Sequence, residues 1–313
     1  MKKILTDRSF LLSIILTFIF FGTGITFLFI GLANYSWILF MLLPVVLGIA
    51  IGAMPPGKYM IGGVITGIML FLLGLYIPGL SGLLCIAMSI PVIVFFVFLG
   101  YIITHLAKRY QKIRQTNRFS ILLLPLLPFL VAAPVEHYFN KDAQAVISVT
   151  TEKIFPYSSE QVYDAIKSVD TLDAEKPFLM LFDLPVPTKC ILEKETVGGT
   201  RTCYFKGGVL SNADFGGGTI TEKITQLERG KVLKMDVIDY NLIGRKWLGF
   251  KEAIYYFTKI DEQHCKLIRI TTYTSILTPR FYWEPLEKLG IRQEHDYVFN
   301  NLEKDLLKKY GSH

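Results

Sequence analysis

The sequence predicts an α+β protein in two unequal parts. An N-terminal bundle of four to five transmembrane helices comes first, and a domain of antiparallel strands closed by a long C-terminal helix follows. Three observations carry this expectation. Residues 1–140 hold nine Lys/Arg and two Asp/Glu, whereas residues 141–313 hold 24 of each sign. Apolar runs of about 20 residues, enough to cross about 30 Å of hydrocarbon, fill the first part. From Ala145 onward the periodicity changes to the alternation of strands, with a helix signature near each end.

All of the formal excess charge of +7 therefore lies in the apolar part. That excludes a nucleic-acid reading of the basic composition, because such a protein carries its basic patch on the folded domain. Four runs pass the length test, at roughly 9–32, 35–54, 59–77 and 82–104. A fifth, 119–135, carries Pro125, Pro128 and Pro134 and reaches about 25 Å at 1.5 Å per residue. The anchor is expected over 1–136 and the second domain over 145–310.

Orientation follows from the basic residues. With five spans, Lys2, Lys3, Arg8, Lys58, Lys108, Arg109, Lys112, Arg114 and Arg118 fall on one face, and the loops around Ala33–Ser36 and Pro78–Ser81 carry none. The N-terminus is then cytoplasmic and the C-terminal domain extracytoplasmic, on a plasma or inner membrane. A re-entrant fifth segment would instead leave that domain in the cytoplasm. The four longer runs contain no ionisable residue between their ends, so no proton relay or ion path runs through them. Gly48-x-x-x-Gly52 and Gly63-x-x-x-Gly67 suit close helix contact, either within the bundle or in a homo-oligomer formed through the transmembrane helices.

In the second part, "AVISVTTEKIF" reads as a strand that Pro156 ends. Ser158 and Gln161 form a capping-box signature, and Val162, Tyr163, Ile166 and Val169 supply an apolar helix stripe. Pro185 and Pro187 argue against regular structure in "FLMLFDLPVPT". Three pairs of strand-like runs follow, turning at Val197–Thr200, Glu228–Gly230 and Asp261–His264. The closing helix is expected from Arg292, with Ile291, His295, Phe299, Leu302 and Leu306 on its buried face. "DFGGGTI" lacks the Lys-Ser/Thr of a phosphate loop and leads into a strand, so it reads as a hairpin loop or bulge.

This order resembles the START-like helix-grip fold of the SRPBCC superfamily, in particular its polyketide cyclase/dehydrase-like branch. The likeness rests on "IFPYSSEQVYDAI", on "GGTRTCYFKGG" followed by "TEKITQLERGKVLKMDV", and on "TPRFYWEPLE" with His295 beyond it. The resemblance implies a curved sheet gripping the last helix around an apolar cavity that takes a lipid or other hydrophobic molecule.

The candidate ligand-binding residues are Arg201, Phe205, Trp247, Tyr255, Phe257, Trp283, His295 and Phe299. His295 reads either as a ligand contact or general base, or as a buried imidazole bonded to the sheet. Arg201 reads either as a headgroup ligand or as one half of an ion pair. "WLGF" at 247–250, after Arg245 and Lys246, reads either as an interfacial loop on lipid or as a strand edge. If a cavity lies beneath the last helix, Phe299→Ala is expected to cost under about 2 kcal/mol.

No catalytic constellation is present, and neither cofactor nor metal is expected. Cys190, Cys203 and Cys265 have no CxxC spacing, and at least one of the three stays unpaired; Cys203 and Cys265 could pair across strands, but the sequence does not fix their distance. The expected function is a membrane-anchored binding domain for a hydrophobic or lipid-like ligand, with membrane lipids and a hydrophobic small molecule as partners. A cyclase/dehydrase-type enzyme and a protein-interaction module are the alternatives. The charge asymmetry yields a direct test. Alkaline phosphatase fused after His313 is expected to be active, and an inactive phosphatase with an active cytoplasmic reporter would show that residues 119–135 do not cross.

Overall fold

The computed structural model describes residues 7–110, 119–140, 143–211, 215–244 and 247–311. The chain divides into two compact units, with the main boundary between Ala143 and Gln144.

The first unit is helical. Helices α1 (Arg8–Phe29), α2 (Ile38–Ala53), α3 (Met60–Tyr76), α4 (Leu83–Arg109) and α5 (Phe119–Asn140) follow one another. Three of them, α1, α4 and α5, are long and apolar enough to cross a membrane. The runs expected over 35–54 and 59–77 shorten to α2 and α3, because the chain turns out of helix at Leu32–Ser36 and at Met54–Tyr59, where Pro55 and Pro56 stand. The fifth run is longer than expected. Pro125 falls in a tight turn of 3-10 helix at Leu124–Leu126, and the helix then resumes as far as Asn140. Of the basic residues that orient the bundle, Lys2, Lys3, Lys112, Arg114 and Arg118 lie outside the described residues.

Both glycine pairs serve packing within this bundle. A Cβ on Gly63 would stand 2.6 Å from the Phe10 carbonyl oxygen of α1, and one on Gly48 would stand 2.0 Å from the Val97 carbonyl oxygen of α4. The Ser13 and Thr17 hydroxyls on the same α1 face donate back to the Ser9 and Ser13 carbonyls at 2.8 Å, so they add no unpaired polar group.

The second unit is one seven-stranded antiparallel sheet in the order β1-β7-β6-β5-β4-β3-β2. Its strands are β1 (Ala145–Phe155), β2 (Val186–Leu192), β3 (Thr200–Lys206), β4 (Gly218–Glu228), β5 (Val232–Leu242), β6 (Leu248–Lys259) and β7 (Cys265–Ser275). Two short helices, α6 (Ser159–Ile166) and α7 (Phe178–Leu181), join β1 to β2, and α8 (Arg280–Tyr310) closes the chain. The fold class is thus α+β with a curled antiparallel sheet and a long C-terminal helix, as the sequence implied.

The capping box of α6 forms, with Gln161 N donating to Ser158 Oγ at 3.3 Å and Ser158 N donating to Gln161 Oε1 at 2.9 Å. Two expectations need correction. Pro187 stands inside β2, an edge strand whose register shifts between Pro187 and Lys189, and an edge tolerates a residue with no N–H. Helix α8 starts at Arg280, twelve residues before the expected Arg292, because Arg280 clamps Glu287 across Pro285. The sequence left the cysteine pairing open, and in the structure Cys203 pairs with Cys190 directly opposite on β2. Cys265 is a free, buried thiol on β7.

The core lies between the concave face of the sheet and α6 and α8. Ile291, His295, Phe299, Leu302 and Leu306 are all buried there. Phe299 meets Phe155 edge to face at 5.9 Å, and Tyr163 meets Phe257 in the same manner at 5.5 Å. These rings fill space that the resemblance assigned to a cavity. Phe299→Ala is accordingly expected to destabilise the domain by about 3–5 kcal/mol, more than the cavity reading allowed. Denaturant titrations of the variant and the native chain measure the difference.

Candidate functional site

Strand register assembles a polar cluster on the apolar face of the sheet. Thr151 of β1, Arg269 of β7 and Tyr255 of β6 are direct register partners in one row. Thr271 stands two residues along β7 and therefore on the same face. Arg201 of β3 and Glu222 of β4 form another register pair on the inward side. Helix α8 adds Glu294 and His295 from above.

Arg201 Nε donates to Glu222 Oε2 at 2.7 Å, and both side chains are buried. Its guanidinium carbon lies 5.4 Å from the centre of the Tyr255 ring, and that of Arg269 lies 5.5 Å from the same centre. One ring thus faces two cations, a contact worth about 2 kcal/mol each when desolvated. Arg269 Nη2 reaches the Glu294 carboxylate at 2.9 and 3.1 Å. Arg269 Nε and Nη1 are enclosed and have no acceptor among the described residues.

Burial opposes the charge of both arginines, but Glu222 beside Arg201 and Glu294 beside Arg269 raise their pKa values above the ordinary one. Burial pushes the Glu294 carboxyl up from its usual range against the pull of Arg269. His295 is fully buried, with Nε2 at 2.7 Å from Thr271 Oγ1 and Nδ1 at 2.9 Å from Thr151 Oγ1. Each hydroxyl can donate or accept, so both suit a neutral imidazole. Burial first, and the Arg269 charge second, hold the His295 pKa well below 6.5.

A second buried cluster fastens the start of α8. The Glu287 carboxylate accepts from Arg280 at 2.7 and 3.1 Å, from Ser275 Oγ at 2.7 Å and from Tyr273 Oη at 3.2 Å. Four donors on one buried carboxylate make this a clasp that holds α8 against the end of β7.

Of the eight candidate residues, the structure brings together Arg201, Tyr255 and His295. Phe257 and Phe299 belong to the aromatic core, and Trp283 is buried in the first turn of α8. Phe205 is half-buried on β3, and Trp247 is half-buried just before β6. Leu248–Phe250 form the start of β6 and pair with Tyr273–Ser275, so the strand reading of this stretch holds. Arg245 and Lys246 lie outside the described residues.

Sequence reasoning missed Thr151, Glu222, Arg269, Thr271 and Glu294. A signal was present. In "CKLIRITTYTS" Arg269 shares the parity of Cys265, Leu267 and Tyr273, and in "TITEKITQ" Glu222 shares that of Ile220 and Ile224. A charged residue on the apolar parity of a strand is expensive unless it is paired.

The neutral His295 leads to a pH test. Below pH 6.5 the unfolded chain binds a proton that the folded chain refuses. Stability is therefore expected to fall as pH drops below that value, with a slope of up to ~1.4 kcal/mol per pH unit. The raised pKa of Glu294 works in the opposite sense, adding stability that is lost as pH rises through its folded value. Denaturant titrations of the native chain and His295→Gln separate the two groups, since only the histidine contribution disappears in the variant.

No protein-family model and no curated protein matches this chain. Among solved structures it is similar to the Zhui aromatase/cyclase of Streptomyces sp. R1128, at 13% identity and TM-score 0.37, covering 53% of this chain and 96% of that one. It is similar also to norcoclaurine synthase of Thalictrum flavum, at 14% identity and TM-score 0.34, covering 53% and 98%. A protein from Arthrobacter aurescens stands at 14% identity and TM-score 0.35, covering 53% and 92%. At such values the likeness bears on neither activity nor ligand.

Proposed function

We propose that the chain is a membrane-anchored binding domain for an amphiphile with an apolar body and an acidic head. One observation carries the reading, namely the buried guanidinium of Arg269, whose Nε and Nη1 are enclosed donor nitrogens without an acceptor among the described residues. Each unsatisfied buried donor costs about 1–3 kcal/mol, and more when charged, so an arriving carboxylate or phosphate would recover that cost. Leu233, Met235, Leu267 and Tyr255 pack together in one buried core cluster, so an apolar body would have to displace some of these side chains.

Anchoring is supported by the three helices of membrane-crossing length. An extracytoplasmic place for the domain is supported by two independent features. The basic residues of the first unit lie on one expected face, and the Cys190–Cys203 disulfide belongs to an oxidising compartment. A cyclase-type enzyme is less well supported, because both nitrogens of His295 are already bonded to hydroxyls. The rings of Phe155, Tyr163, Phe257 and Phe299 favour the second reading, an interaction module with a filled interior.

Binding of a fluorescent fatty acid to the full chain in nanodiscs, with protein-free nanodiscs subtracted, tests the proposal. The acid is expected to bind at least tenfold more tightly than the corresponding alcohol, about 1.4 kcal/mol of preference. Arg269→Met is expected to abolish that preference. Equal binding of acid and alcohol would remove the acidic head from the reading, and binding of neither would leave the interaction module.

A further inference from the structure

The two ends of the sheet differ in chemistry. The start of β1 at Ala145 pairs with Ser275 at the end of β7, which also pairs with Leu248 at the start of β6. Gly218 at the start of β4 pairs with both Leu242 and Phe205. This end therefore carries the connections before β2, between β3 and β4, and between β5 and β6, together with the first turn of α8. Backbone hydrogen bonds tie three of these segments together. Val209 N donates to Met180 O at 3.2 Å, Leu210 N to Leu181 O at 3.1 Å, and Gly216 N to Ile243 O at 2.9 Å.

Beside the exposed Lys176, Lys206 and Asn241, the described loops at this end show several large apolar side chains to solvent. Phe178 is 64% exposed, Val209 61%, Leu210 52% and Phe281 76%, with Leu181 and Ile243 exposed beside them. The opposite end turns through "EKETVGG" at 193–199, "RGK" at 229–231 and "IDEQH" at 260–264, which are mostly charged and polar, with Val197 and Ile260 as isolated exposed apolar residues. Scattered apolar residues on a surface are ordinary, but several on tied loops at one end of a domain mark a contact surface.

The chain itself indicates the partner. Helix α5, long and apolar enough to cross a membrane, ends at Asn140, and β1 begins at Ala145. Five residues reach at most about 17 Å, so covalent linkage keeps the Ala145 end of the sheet within that distance of the end of the helix. We infer that these loop tips form a lipid-docking surface, with Phe178, Val209, Leu210 and Phe281 seated at the boundary between headgroups and acyl chains. Side chains of this kind gain free energy by leaving water for that boundary, and the tether removes most of the entropic cost of the encounter. The surface stands on its own exposure and connectivity, whether or not the interior takes a ligand.

Photo-crosslinking of the full chain in phosphatidylcholine nanodiscs tests this. Benzoylphenylalanine replaces Leu210 in one variant, Phe178 in a second and Ile260, at the charged end, in a third. All three positions are exposed, and the second variant keeps the test decisive if the first does not fold. The expected result is a lipid adduct at Leu210 and Phe178 with a yield at least roughly fivefold above that at Ile260. Equal yields at the two ends, adducts to protein alone, or no adduct at Leu210 and Phe178 would each overturn the inference.

Discussion

Strand β7 pairs with both β1 and β6, and its strict alternation decides what α8 meets when it lies down on the sheet. Cys265, Leu267, Arg269, Thr271 and Tyr273 all point inward. A sheet face that carries an arginine in its middle cannot be covered by a purely apolar helix, because an unpaired buried charge costs far more than packing returns. Helix α8 answers with Glu294 for Arg269, His295 for Thr271 and Glu287 for Ser275 and Tyr273. The seat of α8 along the sheet is set by these polar matches as much as by Phe299 and Leu302.

The same constraint shapes the site. Arg201 and Arg269 come from strands far apart in the sheet order, yet both approach the ring of Tyr255. Glu222 and Glu294 neutralise them from opposite sides, one from the sheet and one from the helix. The bonding is uneven. Arg201 directs Nε and Nη2 at a single carboxylate oxygen, whereas Arg269 uses only Nη2 and leaves two donors enclosed. That asymmetry distinguishes a structural pair from a guanidinium with capacity to spare.

The first unit obeys a different economy of contacts. Its helices carry charge only near their ends, at Arg8, Lys108, Arg109 and Glu136 among the described residues, so along their length they associate through close approach, with Gly48 and Gly63 bringing backbones together where any larger residue would collide. Polar hydroxyls on α1 satisfy themselves on their own helix. The second unit follows the rule for soluble folds, in which polar groups enter the core only with partners.

Much of the second unit was legible in the sequence because its signals are local. The capping box of Ser158, the turn at Gly230 and the stripe from Ile291 to Leu306 depend only on residues near one another in the chain. Pro187 of "LPVPT" misled because a proline forbids a central strand but not an edge, and edge position is a property of the whole sheet. The start of α8 was hidden for a similar reason, since Glu287 holds the helix across Pro285 only with Ser275 and Tyr273 in place. The sequence alone determined the division into an apolar and a charge-balanced part, the element order and the identity of His295 as an inward residue. Tertiary structure alone decided that Cys190 faces Cys203, that Arg269 lies beside Tyr255 and Glu294, and that aromatic rings occupy the space beneath α8. Those outcomes depend on strand register and on how a long helix settles over a curved sheet, and neither is encoded in any short stretch of chain.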